Sequence, residues 1–271
     1  MSEPATPQAG SLKHLKVTIG GRQLDCQRIG APRAGGATLV FLHEGLGSIG
    51  LWKNFPSQLA SACGLDALVY SRQGSGHSAP LEAPRKPDYM HIEALQVLPS
   101  LLQHLDIRRP LLVGHSDGGS IALIYGGQFA AAPVGIIAIA PHLFVESMGV
   151  ASIAAAKVAY ETTDLRARLA RHHSNVDNTF YGWNDIWLNP DFLAWNIEDY
   201  VARIRCPVLA VQGCDDEYGT MRQIDRIAEL APQAELLKLP ECRHSPHREQ
   251  PDALIAACER FVRECVMPAA R

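Results

Sequence analysis

No run of lysine or arginine occurs anywhere in the 271 residues, and no basic patch stands out. With 25 basic and 28 acidic side chains the net charge is −3, so the electrostatic footprint of a nucleic-acid binder is missing. No apolar stretch reaches the roughly 18 residues that cross a bilayer, and no membrane partner is expected. The seven cysteines (Cys26, Cys63, Cys206, Cys214, Cys242, Cys258 and Cys265) are odd in number, and neither Cys-x-x-Cys nor a zinc-ligand spacing occurs among them. That argues against a disulfide framework and a metal centre, and for reduced thiols in a cytoplasmic protein. Repeats and low-complexity segments are missing too. Residues 1–11 lack the basic-then-apolar pattern of a secretory signal and read as a short disordered leader. What remains is an ordinary globular composition, 47% hydrophobic and 20% charged, in a chain long enough for one large or two small domains.

The pattern along the chain is alternation. Residues 15–19 and 24–29 flank Gly20-Gly21 as a hairpin. Predominantly apolar runs at 37–42, 65–70, 110–113 and 134–140 read as buried strands, and helical periodicity at 52–62 and 90–105 separates them. The alternation resumes with strands at 207–212 and 235–239 and helices at 221–230 and 252–266. Such a sequence predicts an α/β domain with a mostly parallel sheet. Residues 142–200 break the rhythm. They are helical, carry Trp183, Trp187 and Trp195, and look inserted.

The most informative stretch is Gly114-His115-Ser116-Asp117-Gly118, set between the strand at 110–113 and a helical run that begins near Ser120. Strand, sharp turn and helix is the context of a nucleophile elbow. The turn strains the serine, and the two glycines remove Cβ clashes. A serine hydroxyl needs a neighbouring base and a carboxylate to orient that base. In an open parallel sheet such groups collect at the carboxyl ends of strands. Two later strand ends supply them: Gly213-Cys214-Asp215-Asp216, and the segment Cys242 to His247 with His244 and His247.

Together these residues resemble the α/β-hydrolase superfamily, in its esterase and enol-lactonase-like branch, with an inserted helical cap. The motifs that carry the resemblance are the His43 loop, Arg72-x-Gly74-x-Gly76-x-Ser78, the elbow, Gly213-x-x-Asp216 and His244-x-Pro246-x-x-Glu249-x-Pro251. The resemblance implies an eight-stranded sheet with helices on both faces. It implies a core of residues 12–141 and 201–267 and a cap of residues 142–200. It also implies Ser116 as nucleophile, His244 as base and Asp216 as acid, with Asp215 the alternative acid and His247 a supporting residue. The oxyanion donors are the backbone N–H of Asp117 and, by register, of Gly45; Glu44 stands where the family has glycine. The Asp117 side chain is explained by the helix dipole alone, worth ~0.5 kcal/mol. His43, Glu44, His115, Trp183 and Trp187 are candidate pocket residues. No metal or cofactor is called for. The expected function is hydrolysis of a small carboxylic ester or lactone. The alternatives are carbon–carbon hydrolysis of ring-cleavage diketones and receptor-like binding of a small molecule with an intact triad. The oligomeric state has no signature in the sequence.

Overall fold

A computed structural model describes residues 12–32 and 35–266. The expected leader, residues 1–11, lies outside the described residues, as does residue 267. The eight strands are β1 (Leu12–Ile19), β2 (Arg22–Ile29), β3 (Thr38–Leu42), β4 (Asp66–Tyr70), β5 (Pro110–His115), β6 (Gly135–Ile139), β7 (Val208–Gly213) and β8 (Ala234–Leu239). They form one sheet in the order β1-β2-β4-β3-β5-β6-β7-β8. The pairings β1–β2 and β2–β4 are antiparallel, and every pairing from β4–β3 to β7–β8 is parallel. The sheet is mostly parallel, as the alternation predicts, and eight-stranded, as the resemblance implies.

The central strands are buried at every position and mostly apolar, because both faces are covered. On β3, Leu39 and Phe41 face one way and Val40 and Leu42 the other. The first pair packs with Trp52, Phe55, Leu254 and Phe261 under the helices Phe55–Cys63 and Pro251–Phe261. The second pair packs with Met90, Leu98, Ile121 and Ile124 under a helix that runs from Tyr89 to His104 and under Asp117–Gln128. The helix expected at 52–62 starts later than its periodicity suggests. Trp52 closes a single 3-10 turn, Ile49–Trp52, and Lys53 follows at φ 52°, which breaks the run; Pro56 then sits in the first turn of the α-helix.

Between β6 and β7 the chain leaves the sheet for four α-helices, Ser147–Thr162, Leu165–Ala170, Val176–Trp187 and Glu198–Val201, with a 3-10 turn at Pro190–Phe192. Val176–Trp187 starts where the Asn175 side chain accepts the Asn178 N–H at 3.1 Å. Phe192 fills the space between Trp187 and Trp195, with ring centroids 5.0 and 5.3 Å away. Trp195 is therefore a packing residue. Among the described residues, no helix is long and apolar enough to cross a membrane.

Candidate active site

Ser116 occupies the one-residue turn between β5 and the helix Asp117–Gln128, at φ 53° and ψ −119°. A non-glycine residue holds such a conformation only when its surroundings impose it. They do so here. The Ser116 N–H donates to the Ile139 carbonyl at 2.9 Å, and the Ser116 carbonyl accepts the Ser120 N–H at 3.0 Å. A Cβ at Gly114 would collide with the Gly118 carbonyl, and one at Gly118 with the Leu42 carbonyl. The two glycines are the condition for the helix to press against β5 and β3. Ser120 adds a further fixture, since its hydroxyl donates to the His142 carbonyl at 2.7 Å and accepts the His142 N–H at 3.0 Å.

The loops after β7 and β8 interlock. Cys214 N–H donates to Leu239 at 2.8 Å, Asp215 N–H donates to Cys242 at 2.9 Å, and a Cβ at Gly213 would strike the Cys242 and Arg243 carbonyls. This brings the Asp216 carboxylate under the His244 ring. Oδ1 of Asp216 accepts from His244 Nδ1 at 2.8 Å and from the Tyr218 N–H at 2.9 Å, and Oδ2 accepts from the Gln212 amide at 3.1 Å. Burial pushes the Asp216 carboxyl up, but His244 and the Tyr218 N–H outweigh it and hold the group below its ordinary range. Because Nδ1 donates to a carboxylate, a neutral His244 keeps its lone pair on Nε2. Asp215 is exposed. His247 lies apart from the cavity, its ring 4.9 Å from Trp52 and 5.7 Å from Phe55, both nitrogens without a partner. Burial, then the neighbouring His115, keeps it neutral far below its usual pKa.

The loop after β3 is held by Arg72, whose side chain is 1% exposed. Its Nη2 donates to the carbonyls of His43 and Glu44 at 3.1 and 2.9 Å. The Glu44 carbonyl also accepts the Gly47 N–H at 3.0 Å and lies 2.6 Å from His43 Nδ1. In a planar trans peptide the N–H points opposite the C=O. With the Glu44 carbonyl turned toward Arg72, the Gly45 N–H faces the other way. The side chain at position 44 therefore does not decide where that N–H points. His43, by contrast, is not a pocket residue: the structure corrects that expectation. Its Nε2 accepts the Arg72 N–H at 3.0 Å, which leaves the proton on Nδ1 for the Glu44 carbonyl. Burial, then Arg72, keeps it neutral.

Asp117 also differs from expectation. Its carboxylate is more than a partner of the helix dipole: it accepts from Tyr89 Oη at 2.6 Å and from Trp187 Nε1 at 3.3 Å, and lies 3.7 Å from Arg72 Nη2. One buried carboxylate thus joins the elbow, the Arg72 loop and the helix carrying Trp187.

A cavity of 270 Å³ opens between these parts, lined by Ser116, His244, Gly45, Glu44, His115, Trp183 and Trp187. The sequence reading missed His142, Tyr218 and Arg248, which line it as well. His142 follows the carboxyl end of β6, the position that was already informative for β5, β7 and β8. Burial, then His244, lowers its pKa to about 4. A Cβ at Gly45 would enter the Trp183 ring, so the tryptophan packs directly on the Gly45 backbone. Among the described residues no group of three or more His, Cys, Asp or Glu could hold a metal ion.

The sequence profile of the alpha/beta hydrolase family matches residues 39–257. The chain belongs to the α/β hydrolase family. Solved α/β hydrolases share its fold at low identity. The enol-lactonase from Burkholderia xenovorans superposes with TM-score 0.73 at 18% identity, over 92% of this chain and 99% of that one. E-2-(acetamidomethylene)succinate hydrolase gives 0.73 at 15%, over 93% and 99%. A carboxylesterase structure from Nitrososphaera gargenis gives 0.72 at 20%, over 92% and 97%. Among curated sequences, the dihydrolipoyllysine-residue acetyltransferase component of the acetoin cleaving system from Pseudomonas putida is 30% identical over 128 residues. That match takes in 47% of this chain, which spans about a third (32%) of that relative's length.

Proposed function

We propose that this α/β hydrolase cleaves a small carboxylic ester or lactone through an acyl-enzyme on Ser116. The observation that carries the reading is the pair of facts at one cavity: a serine at positive φ at a helix N-terminus, and a histidine whose Nδ1 is held by a buried carboxylate. Ser116 Oγ attacks the carbonyl while His244 Nε2 takes its proton. The tetrahedral oxyanion is held by the N–H groups of Asp117 and Gly45, and the proton passes to the leaving oxygen. Water then repeats the sequence on the acyl-enzyme. Asp216 keeps the imidazole in the required tautomer.

Residues 142–200 act as the cap over the core of residues 12–141 and 201–267, and Trp183 and Trp187 form its wall of the pocket. The size of the cavity supports a substrate of small-molecule dimensions. The enol-lactonase and carboxylesterase relatives support the ester and lactone class. Free thiols at all seven cysteines support a cytoplasmic setting.

The test is turnover of an acyl-chain series of esters, with lactones and a ring-cleavage diketone in parallel. Multiple turnovers on an ester or lactone, lost ~10⁴-fold or more in Ser116→Ala, are expected. Preference for the diketone would move the activity to carbon–carbon hydrolysis. Tight binding with no turnover would make the protein a receptor.

A further inference from the structure

Ser116 follows β5, which lies between β3 and β6 in the sheet. The loop with Gly45 leaves β3 on one side of it, and the chain with His142 leaves β6 on the other, each one strand spacing, about 4.8 Å, along the sheet edge. The segment that carries His142 is held tightly. Ala140 has φ 46°, a region that a residue with a Cβ enters only at a cost. Its N–H donates to the Val211 carbonyl at 2.7 Å. Pro141 packs on Gly119, where an added Cβ would come within 3.1 Å of it. Ser120 then pairs with both the N–H and the carbonyl of His142. The ring of His142, by contrast, has no hydrogen-bond partner among the described residues. It meets only the rings of Trp187 and His244, with centroids 4.9 and 6.0 Å away. The residue is 5% exposed and lines the cavity. A strained, fully paired backbone thus presents a side chain that bonds nothing in the protein, which marks a position facing a ligand.

We propose that His142 is a specificity-determining residue: it hydrogen-bonds a second, uncharged oxygen of the substrate, a hydroxyl or keto oxygen on the acyl portion. The direction follows from the site. With the carbonyl oxygen at the N–H groups of Asp117 and Gly45, and the leaving oxygen at His244 Nε2, the acyl chain takes the remaining direction, toward the β6 side. The chemical class follows from the ring. Burial keeps His142 neutral, and a neutral imidazole offers one N–H and one lone pair, which suit a keto oxygen or a hydroxyl. Besides His244, the charged groups that act on it are Asp216, Asp117 and Glu146, all acidic, and they disfavour a substrate carboxylate at this end. Arg248 does not offset them, because its Nη2 is held by the Leu51 carbonyl at 3.0 Å, on the side of the loop after β3. The inference rests on the reading of Ser116 as nucleophile and narrows its substrate to hydroxyacyl or oxoacyl esters and the corresponding lactones.

The test compares kcat/KM of the full-length protein on phenyl butanoate, its 2-hydroxy, 3-hydroxy and 3-oxo derivatives, and phenyl hydrogen succinate, each corrected for the ester's own rate with hydroxide. The wild type should prefer a hydroxy or oxo ester to the plain butanoate by ~10- to 100-fold, the worth of one buried hydrogen bond. His142→Phe keeps the ring against Trp187 but removes the donor and acceptor, and should bring that ratio to within ~3-fold of unity. A merely structural role would lower all the rates together and leave the ratio in place. Equal wild-type rates on oxygenated and plain esters, or a preference that survives in His142→Phe, would overturn the proposal. A preference for the succinate ester would overturn the uncharged class. The same preference should appear in the dissociation constants of Ser116→Ala for 3-hydroxybutanoate and butanoate esters, and be lost when His142→Phe is added. Equal binding of the two, or none, would also overturn the proposal. Absence of wild-type turnover would defeat the hydrolase reading alone, since the binding preference still decides the role of His142.

Discussion

The two carboxylate–imidazole pairs beside Ser116 are built to different tolerances. Asp216 is saturated: His244, Tyr218 and Gln212 all donate to it within 3.1 Å, and its side chain is 1% exposed. Glu44 has only the longer contacts to His115 and Arg248, at 3.5 and 3.6 Å, and its side chain is 18% exposed toward the cavity. A carboxylate fixed by three donors can hold one tautomer through a reaction cycle. A carboxylate with slack cannot impose a geometry to a fraction of an ångström. The proposed function therefore places its chemistry on the first pair.

Removing the charge from each pair should separate them most sharply. Asp216→Asn permits the wrong His244 tautomer and should lower kcat by ~10⁴-fold, the scale of the same change in a serine protease. Glu44→Gln should cost ~10-fold, and Asp215→Asn, at an exposed neighbour, no more than ~3-fold. Steady-state kinetics of the three variants on one ester decides the ranking. Greater damage from Asp215→Asn than from Asp216→Asn would move the acid.

The loop after β3, the proposed source of one oxyanion donor, gives the next largest effect. Arg72→Met keeps the bulk of the side chain but frees the His43 and Glu44 carbonyls. The Gly45 peptide loses its fixed direction, and kcat should fall ~10²-fold. KM should change less, because Arg72 is not among the cavity-lining residues. A variant with wild-type kcat would show that His43 and Gly47 alone suffice to fix the loop.

Most of this was legible before any coordinates. The elbow, the strand-end position of Asp216 and His244, and the parallel sheet all follow from local patterns: glycine spacing, apolar runs and strand-end loops. What escaped depends on contacts across the fold. Nothing near Arg72 in sequence announces that its guanidinium will hold the Glu44 carbonyl. Asp117 looked like a helix-dipole residue because its partners, Tyr89 and Trp187, lie 28 and 70 positions away. His43 looked like a pocket residue because it adjoins Glu44 in sequence, yet its ring turns inward to the Arg72 main chain. Tryptophans 183, 187 and 195 were indistinguishable by type, and only the fold sends the first two to the cavity and the third to Phe192.

The smallest expected effect is on stability, and it separates histidines from carboxylates by pH. The pKa of His142 is lowered to about 4, whereas an unfolded histidine titrates at 6.5. Between these values the unfolded chain binds a proton that the native one does not. Its share of stability is therefore lost as pH falls from about 6.5 to about 4, on the order of 1–3 kcal/mol. Asp216 works in a separate window. Held below 3.8, it contributes stability above that pH and loses it only as pH falls through its lower native value. Urea midpoints at pH 7.5, 4.5 and 3 should show His142→Asn with less acid sensitivity than wild type in the first interval. Asp216→Asn should differ from wild type in the second.

The central claim is that Ser116 is a nucleophile activated by His244, and a fluorophosphonate probe read by intact mass and peptide mapping tests it most directly. The wild type should gain one phosphonyl group, mapped to Ser116. His244→Ala should react far more slowly, and Ser116→Ala should not react. An adduct mapped to another residue, or labelling of Ser116→Ala at the wild-type level, would contradict the account.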